Sequence, residues 1–463
     1  MKRRFSALFL AALVFAGFAN AGGPLRVTGS TSPSPGQPFV WSVGVPIRYT
    51  VDGGPLSATP GGQVVISNSQ GLTRVQGLFA NWQSVPTTAI SYSYAGVISA
   101  PGLPPNGDVK TIQDFNAVQG TCNSGSQSPV IFDADGSLLS ALGLGPLVIG
   151  VGGSCKLDVQ TGHIVSGFVL LNGRFQDGIS SNTNFELTPD EFDEAITHEI
   201  GHFSGLGHSQ INLDLFQSGA VGDCNVDQLA GLPLMFPVFF CQSRKSVGLP
   251  ILAPDDVAWI SKLYPNASFP SAYGTISGFI FSSDGITHVQ GVNVVARAVD
   301  DPSTPQDESQ RVAFSAVSGF AFTGNPGQPI TGDNTGGSAF GSRDPALIGY
   351  YEIPVPPGTY TVQVENLDAS FTGGSSVGPL DPPAITQGAA EYWHQYESAF
   401  DDLSKKDPLT VQAGQKLSNI NFILNQTAPR FDQFEDGEAR LGRPEAPFLC
   451  RAWRQLWDFG ETS

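Results

Sequence analysis

The chain is poor in charged residues, and in basic residues above all. Charged residues make up 14% of its 463 positions, and 23 Lys and Arg stand against 41 Asp and Glu, for a formal net charge of −18. So few cations offer little electrostatic attraction to the phosphates of nucleic acid or to an anionic membrane surface. The composition therefore argues against both as partners.

Long apolar runs are also missing beyond the first few residues, so no membrane span is expected. The one apolar run, from Phe5 to Phe18, follows three basic residues and precedes a small-x-small sequence ending at Ala21. This is the pattern of a secretory signal peptide, and the run is short for the alternative, a membrane anchor. We predict that residues 1–21 are removed after Ala21 and that the protein is secreted and soluble.

Cysteine is scarce, with five in the chain. In an exported protein this number permits two disulfides and one remaining thiol. Cys224 and Cys241 form one pair that is close in sequence, Cys122 and Cys155 form another, and Cys450 is left over. We predict these two disulfides, although the sequence alone leaves other pairings open.

The most informative motif is HEIGHFSGLGHS at residues 198–209. On a helix, His198 and His202 lie four residues apart, so both imidazoles leave the same face one turn apart. Two histidine nitrogens at that separation can share one Zn²⁺. Glu199 lies beside the first ligand, where it can polarise a zinc-bound water instead of binding the metal.

The motif continues with a glycine and a third histidine. Gly205 can adopt a positive φ, which ends the helix and turns His208 back towards the metal. Three protein ligands leave a fourth position for water, which is the pattern of a catalytic zinc site. A bare HExxH also arises by chance on amphipathic helices. However, Thr188, Pro189 and Glu191 form an N-cap, N1 and N3 pattern that predicts a helix here independently.

These residues resemble the metzincin clan of zinc endopeptidases and, within it, the matrixins. Ser209 directly after the third histidine matches the matrixin pattern, and Leu-Met-Phe-Pro around Met235 resembles the Met-turn beneath the zinc. Residues 252–264 are similar to the last helix of matrixin catalytic domains. The resemblance is strong over residues 188–264 and weaker back to about residue 46.

The resemblance implies an α+β catalytic fold with a twisted, mostly parallel sheet, an active-site helix and a C-terminal helix. It also implies one catalytic Zn²⁺ on the three histidines, with Glu199 as general base. Animal matrixins hold a second, structural zinc through additional histidines, but only His163 precedes His198 here. The Tyr that assists catalysis in some metzincins is replaced by Phe236, so no such role is assigned.

Alternating apolar residues predict strands over 47–51 and 90–94, with a helix over 72–82 between them. A strand, a helix and a second strand imply a parallel βαβ unit. Residues 146–151 correspond to the edge strand along which metzincins bind an extended substrate, the alternative being an ordinary sheet strand. Asp133 and Asp135 lie in a DxDG sequence that suggests a candidate Ca²⁺ loop, although a solvated turn fits better without the other calcium ligands.

After residue 265 the pattern changes to short strands separated by turns, which predicts an antiparallel β-sandwich. The GYYEIPVPPGTYTV sequence at 349–362 resembles the transthyretin-like, carboxypeptidase-regulatory type of domain, which implies no catalysis. We expect this unit to have its own core and His394 to be a surface or packing residue. The expected division is a signal peptide (1–21), a lead-in (22–45), a zinc-peptidase domain (46–265), a β-sandwich (272–425) and a tail (426–463).

Three functions fit the sequence to different degrees. The first is a secreted, monomeric zinc endopeptidase acting on protein or peptide substrates. The second is a non-catalytic adhesion or matrix-binding protein on a metalloprotease-like scaffold, in which Glu199 would have no chemical task. The third is a zinc hydrolase of a non-peptide substrate, because the motif determines the water chemistry and not the acyl group that is attacked.

Overall fold

The computed structural model describes residues 22–180, 185–219, 224–321, 344–365 and 390–425. The predicted signal peptide, Cys450 and the predicted tail lie outside the described residues. Within the described ranges, every helix is too short or too polar to cross a membrane.

The amino-terminal part of the chain combines strands with helices. Its strands are β1 (Val40–Trp41), β2 (Ile47–Val51), β3 (Ser57–Ala58), β4 (Val64–Ile66), β5 (Tyr92–Val97), β6 (Pro129–Asp133), β7 (Gly150–Asp158) and β8 (His163–Asn172). Its α-helices are α1 (Asn68–Gln83), α2 (Ile112–Ser124), α3 (Ser137–Ala141), α4 (Pro189–Phe203), α5 (Leu213–Gln217), α6 (Val226–Gly231) and α7 (Pro254–Leu263).

One mostly parallel sheet organises this part. Its strand order is β1-β8-β6-β2-β5, and all of these neighbours are parallel. β7 pairs with β8 in antiparallel fashion and forms the edge of the sheet. The predicted parallel βαβ unit is confirmed, since β2 and β5 are parallel neighbours with α1 between them in sequence.

Helix α4 carries the motif, and its start is determined locally. Thr188 is the N-cap, its side chain accepts a hydrogen bond from the backbone of Glu191, and the Glu191 carboxylate accepts one from the Thr188 N–H. Pro189 occupies the first helical position, where a missing N–H costs nothing. The helix packs against β7, β8 and α1. The apolar core of the sheet therefore positions the motif.

The carboxyl-terminal part is built almost entirely of strands. These are β9 (Gly274–Phe281), β10 (Asn293–Ala298), β11 (Ala313–Val317), β12 (Tyr350–Val355), β13 (Gly358–Glu365), β14 (Glu391–Tyr392), β15 (Leu409–Val411), β16 (Lys416–Leu417) and β17 (Phe422–Ile423). The short helices α8 (Phe269–Ala272) and α9 (Glu308–Arg311) accompany them.

These strands form two sheets. One has the order β11-β10-β13-β14 with β15 also on β13, and the other has the order β12-β9-β16 with β17 also on β9. The first sheet is antiparallel throughout, but β16 and β17 run parallel to β9. The expectation of a purely antiparallel sandwich is wrong on this point. Both strands are only two residues long, so sequence alternation reveals nothing about their direction.

The two parts do not have separate cores. Buried residues of α7, β9, β10 and β11 belong to one apolar cluster that continues into the amino-terminal sheet. Trp259 on α7 is 2% exposed, and its indole N–H donates to the carbonyl of Ser315 on β11 at 2.7 Å. Asp255, also on α7, accepts a hydrogen bond from the Ser315 N–H at 2.8 Å. The β-sandwich therefore covers a face of α7. This helix was expected to end an autonomous zinc-peptidase domain.

Both predicted cysteine pairs are at disulfide distance. The Cα atoms of Cys122 and Cys155 are 5.6 Å apart, and those of Cys224 and Cys241 are 5.4 Å apart. The second pair braces the segment that contains Met235. The S–S bonds limit the freedom of the unfolded chain more than that of the folded one.

The aspartates of the candidate calcium loop cap the start of α3. The Asp133 carboxylate accepts the N–H groups of Leu138 and Leu139 at the start of α3, at 3.1 and 2.7 Å. Asp135 accepts the N–H of Ser137 at 3.0 Å. These bonds favour the turn over the Ca²⁺ site, which remains an unsupported prediction.

Candidate metal centre

The three histidines of the motif converge on one point. The Nε2 atoms of His198 and His202 are 3.0 Å apart, those of His202 and His208 are 3.0 Å apart, and those of His198 and His208 are 3.2 Å apart. All three side chains are buried. Because zinc–nitrogen bonds are about 2.0–2.1 Å long, three nitrogens this close together can share one ion.

Backbone carbonyls fix the orientation of two of the rings. The Nδ1 of His198 lies 2.7 Å from the carbonyl of Leu234, and that of His202 lies 2.8 Å from the carbonyl of Leu206. A carbonyl can only accept, so each Nδ1 carries the proton and each Nε2 presents its lone pair to the centre. Carbonyls that orient metal-binding imidazoles in this way are usual in zinc sites.

Burial keeps these imidazoles neutral. It lowers the pKa of His198 to about 4 and, together with the neighbouring His198, lowers the pKa of His202 to about 3. The pKa of His208 is also well below its usual value, mainly through burial. Neutral imidazole is the form that binds metal. At neutral pH the donor set is therefore ready without loss of a proton.

The turn at the end of α4 directs His208 towards the other two histidines. Gly205 has a φ of +89°, and the N–H groups of Gly205 and Leu206 close the helix onto the carbonyls of His202 and Gly201. This positive φ agrees with the prediction that Gly205 ends the helix and turns the chain back. The chain then turns, and His208 approaches from outside the helix.

Glu199 lies deep beside β7. Its carboxyl group is buried, and within the described residues its Oε2 has no hydrogen-bond partner. Burial raises the pKa of Glu199 to about 8, and a hydrogen bond from the Gly152 backbone works against this rise. A buried carboxyl group with an open oxygen next to three histidines can exchange a proton with a bound water.

Glycines on β7 allow this close approach. A Cβ atom at Gly150 would come 2.7 Å from Cγ of Glu199, and one at Gly152 would overlap the Glu199 carbonyl oxygen. The sequence analysis does not identify these two glycines as functional, because their role depends on a tertiary contact. Glycine in a strand interior is the only available signal, since it often marks the close approach of another backbone.

Met235 forms the floor of the site. Its Sδ packs where a side chain at Gly201 would stand, so Gly201 must lack one. Asp256 at the start of α7 accepts the N–H groups of Leu234 and Met235 at 2.7 and 3.1 Å. The segment of the predicted Met-turn therefore packs against α4, and its Leu234 carbonyl contacts His198. Asp256 is not among the residues predicted from the sequence, because its only local signal is an acidic residue in a first helical turn.

A small apolar cleft opens beside the histidines. It is lined by Leu147, Ile149, Gly150, Ala195, His198, Glu199, Phe236, Pro237 and Phe239. The segment before β7 therefore borders the site, and β7 itself is the sheet edge next to it.

A second group of potential ligands, His394, Glu397 and Asp401, lies in the β-sandwich. Here Nδ1 of His394 accepts the N–H of Tyr396 at 3.0 Å, so the proton of the neutral ring is on Nε2. That nitrogen lies 3.2 Å from Asp401 and has no lone pair to offer a metal. His394 and Asp401 therefore form a buried histidine–carboxylate pair. The Glu397 carboxylate links this pair to β17 by accepting the N–H groups of His394 and Ile423.

Gly152→Ala should strongly lower the melting temperature and the metal content, and Gly153→Ala should lower neither. The alanine at 152 meets backbone of α4 that cannot move aside, whereas the nearest atom to a Cβ at 153 is 3.6 Å away. Overpacking of this kind costs about 1–3 kcal/mol. Thermal melting and metal content of both variants test this. Equal behaviour of the two would show that the close approach is unimportant.

No protein-family model matches this chain, and no curated protein is significantly similar to it. The resemblance to metzincins therefore remains a prediction from the motif residues.

Proposed function

We propose that the protein is a secreted zinc-dependent endopeptidase of the metzincin type, similar to the matrixins. The convergence of three neutral Nε2 atoms within 3.0–3.2 Å of one another, with the Glu199 carboxyl group beside them, carries the proposal. The orientation of His198 and His202 by carbonyls fits a metal centre better than a simple histidine cluster. Three buried imidazoles with facing lone pairs repel one another unless a cation lies between them.

The metal would be held by His198, His202 and His208, with the fourth position open. When bound, zinc would supply a Lewis acid that makes a water nucleophilic and polarises the carbonyl of the scissile bond. The mixed α/β fold with its mostly parallel sheet is compatible with a metzincin catalytic domain.

Glu199 acts as the proton carrier in this proposal. Burial alone raises its pKa to about 8, and a cation held by the histidines would lower that pKa and favour the carboxylate. The open Oε2 then accepts the proton of the attacking water and returns it to the leaving amine. Its burial limits the access of bulk water to that proton. The Gly152 N–H holds the carboxylate against β7, so that the carboxylate remains beside the histidines.

The edge strand β7 is the proposed binding edge for an extended peptide. Among the described strands it pairs only with β8, so its other edge offers backbone donors and acceptors. Such pairing depends little on the side chains of the peptide, while the apolar cleft beside His198 selects one of them. Two disulfide-distance cysteine pairs are consistent with the proposed secretion.

His202→Ala should lose one equivalent of zinc per chain relative to the wild-type protein, because two remaining imidazoles bind zinc weakly. His163→Ala is the control, since His163 begins β8 and lies outside the cluster. Elemental analysis after gel filtration gives the result. Equal zinc in the wild type and the His202 variant would contradict the proposed metal site.

A further inference from the structure

The segment that carries the third histidine is buried from two sides. Residues 208–212 follow the turn after α4, and all five are at most 3% exposed. On one side, the Ser209 N–H donates to the carbonyl of Met235 at 2.9 Å. On the other side lies the β-sandwich. Unlike His198 and His202, His208 is not on a helix, so these neighbours determine its position.

Strand β11 contacts the residue directly after His208. The Oγ of Ser209 lies 3.1 Å from the Oγ of Ser315, and Ser209 also hydrogen-bonds to the carboxyl group of Asp255. Asp255 in turn accepts the Ser315 N–H. Ser209, Asp255 and Ser315 thus form a closed, buried triangle between the third-ligand segment, α7 and β11. A buried polar group without a hydrogen-bond partner destabilises the folded state, so these three residues hold one another in place.

Strand β10 fixes the end of the segment. Asn212 has a φ of 59°, which is uncommon for a residue with a side chain. Its side-chain oxygen accepts a hydrogen bond from Nη1 of Arg297 at 2.8 Å, and its amide donates to the carbonyls of Gln228 and Gln310. Arg297 is itself buried and anchored by Glu365 on β13 at 2.7 Å.

An apolar contact lies between these two polar ones. Ile211 is fully buried and packs with Val295 of β10 and Ala313 of β11. The segment from His208 to Asn212 is therefore held at Ser209, Ile211 and Asn212 by strands that lie much later in the chain.

We propose that Arg297 and Ser315 are positioning residues for His208, so that the β-sandwich completes the metal centre. This inference rests on the proposal that the three histidines hold a metal ion. Two ligands lie on α4, but the third lies outside the helix on a segment that the sandwich helps to hold. Outer residues that orient metal ligands typically change metal affinity by about 10–100-fold when they are replaced.

The test uses the full chain and two matched replacements. Arg297→Met removes the hydrogen bond to Asn212 and keeps the apolar stem, whereas Lys262→Met removes the ion pair between α7 and Glu352 on β12, away from residues 208–212. We expect Arg297→Met to weaken Zn²⁺ binding about ten-fold or more, measured by competition with a chromophoric chelator. The visible spectrum of the Co²⁺-substituted protein should also change, because it reports ligand number and geometry. Lys262→Met should retain the wild-type affinity and spectrum.

A milder pair of variants covers the case in which Arg297→Met does not fold. Ser315→Ala removes the contact with Ser209, while Ser318→Ala removes an equally buried hydroxyl that bonds only within the sandwich. Ser315→Ala alone should lower Zn²⁺ affinity and alter the Co²⁺ spectrum. Unchanged affinity and spectrum in folded Ser315→Ala would overturn the inference. A wild-type protein that binds neither ion would instead refute the metal centre itself.

Discussion

Glu199→Gln is expected to keep its zinc and its fold and to lose peptidase activity by about 10²–10⁴-fold, the usual contribution of a general base. Glutamine has nearly the same shape but cannot accept and return a proton. Glu199 is not one of the three histidines whose nitrogens converge, so its replacement should leave metal binding almost unaffected. Cleavage of a fluorogenic peptide, together with zinc content, measures the two properties separately.

The control for this variant is Glu194→Gln. Glu194 lies on the same helix, is equally buried, and burial raises its pKa to about 7, but it faces the backbone of Lys245 instead of the histidines. It should therefore retain activity. Near wild-type cleavage by the Glu199 variant, or equal losses in both variants, would contradict the assigned role.

A chain that starts at Gly22 and ends at Pro265 is expected not to give a soluble, zinc-loaded protein. The truncation removes β10 and β11, and it exposes Trp259 and the apolar cluster that continues through α7. It also leaves Asp255 without the Ser315 N–H and Asn212 without Arg297. A large exposed apolar face normally leads to aggregation.

The chain from Gly22 to Asn425 is the control for the truncation, because it retains every contact described above. Expression yield, gel filtration and zinc content compare the two chains. A chain ending at Pro265 that is monomeric and binds zinc like the longer one would show that the two parts are independent after all. This is the outcome that the sequence pattern alone would favour.

Local chemistry in the sequence predicted the parts of the site that depend on neighbours along the chain. The start of α4 follows from Thr188, Pro189 and Glu191, and its end follows from Gly205. The spacing of His198 and His202 places them on one helical face, and the structure brings both together with His208. Each of these inferences requires only the period of a helix and the special backbone of glycine or proline.

Contacts between distant segments could not be predicted in the same way. The sequence pattern indicates that β10 is a strand, but it does not indicate which surface covers it, and it predicts no strand at β11. For this reason a separate sandwich core was expected, and the contacts of Ser315 with α7 were not predicted. Gly152 and Asp256 were missed for the same reason, since each matters only through what it touches in the folded chain.

Digestion of an unfolded protein such as casein tests the central proposal most directly. The mature chain, purified with its metal, should cut casein at internal bonds, lose this activity after treatment with a chelator, and regain it when Zn²⁺ is restored. The Glu199→Gln protein, prepared in parallel, should be inactive throughout. Absence of cleavage by folded, zinc-loaded protein would contradict the proposed endopeptidase, as would cleavage that neither the chelator nor the Glu199 replacement reduces.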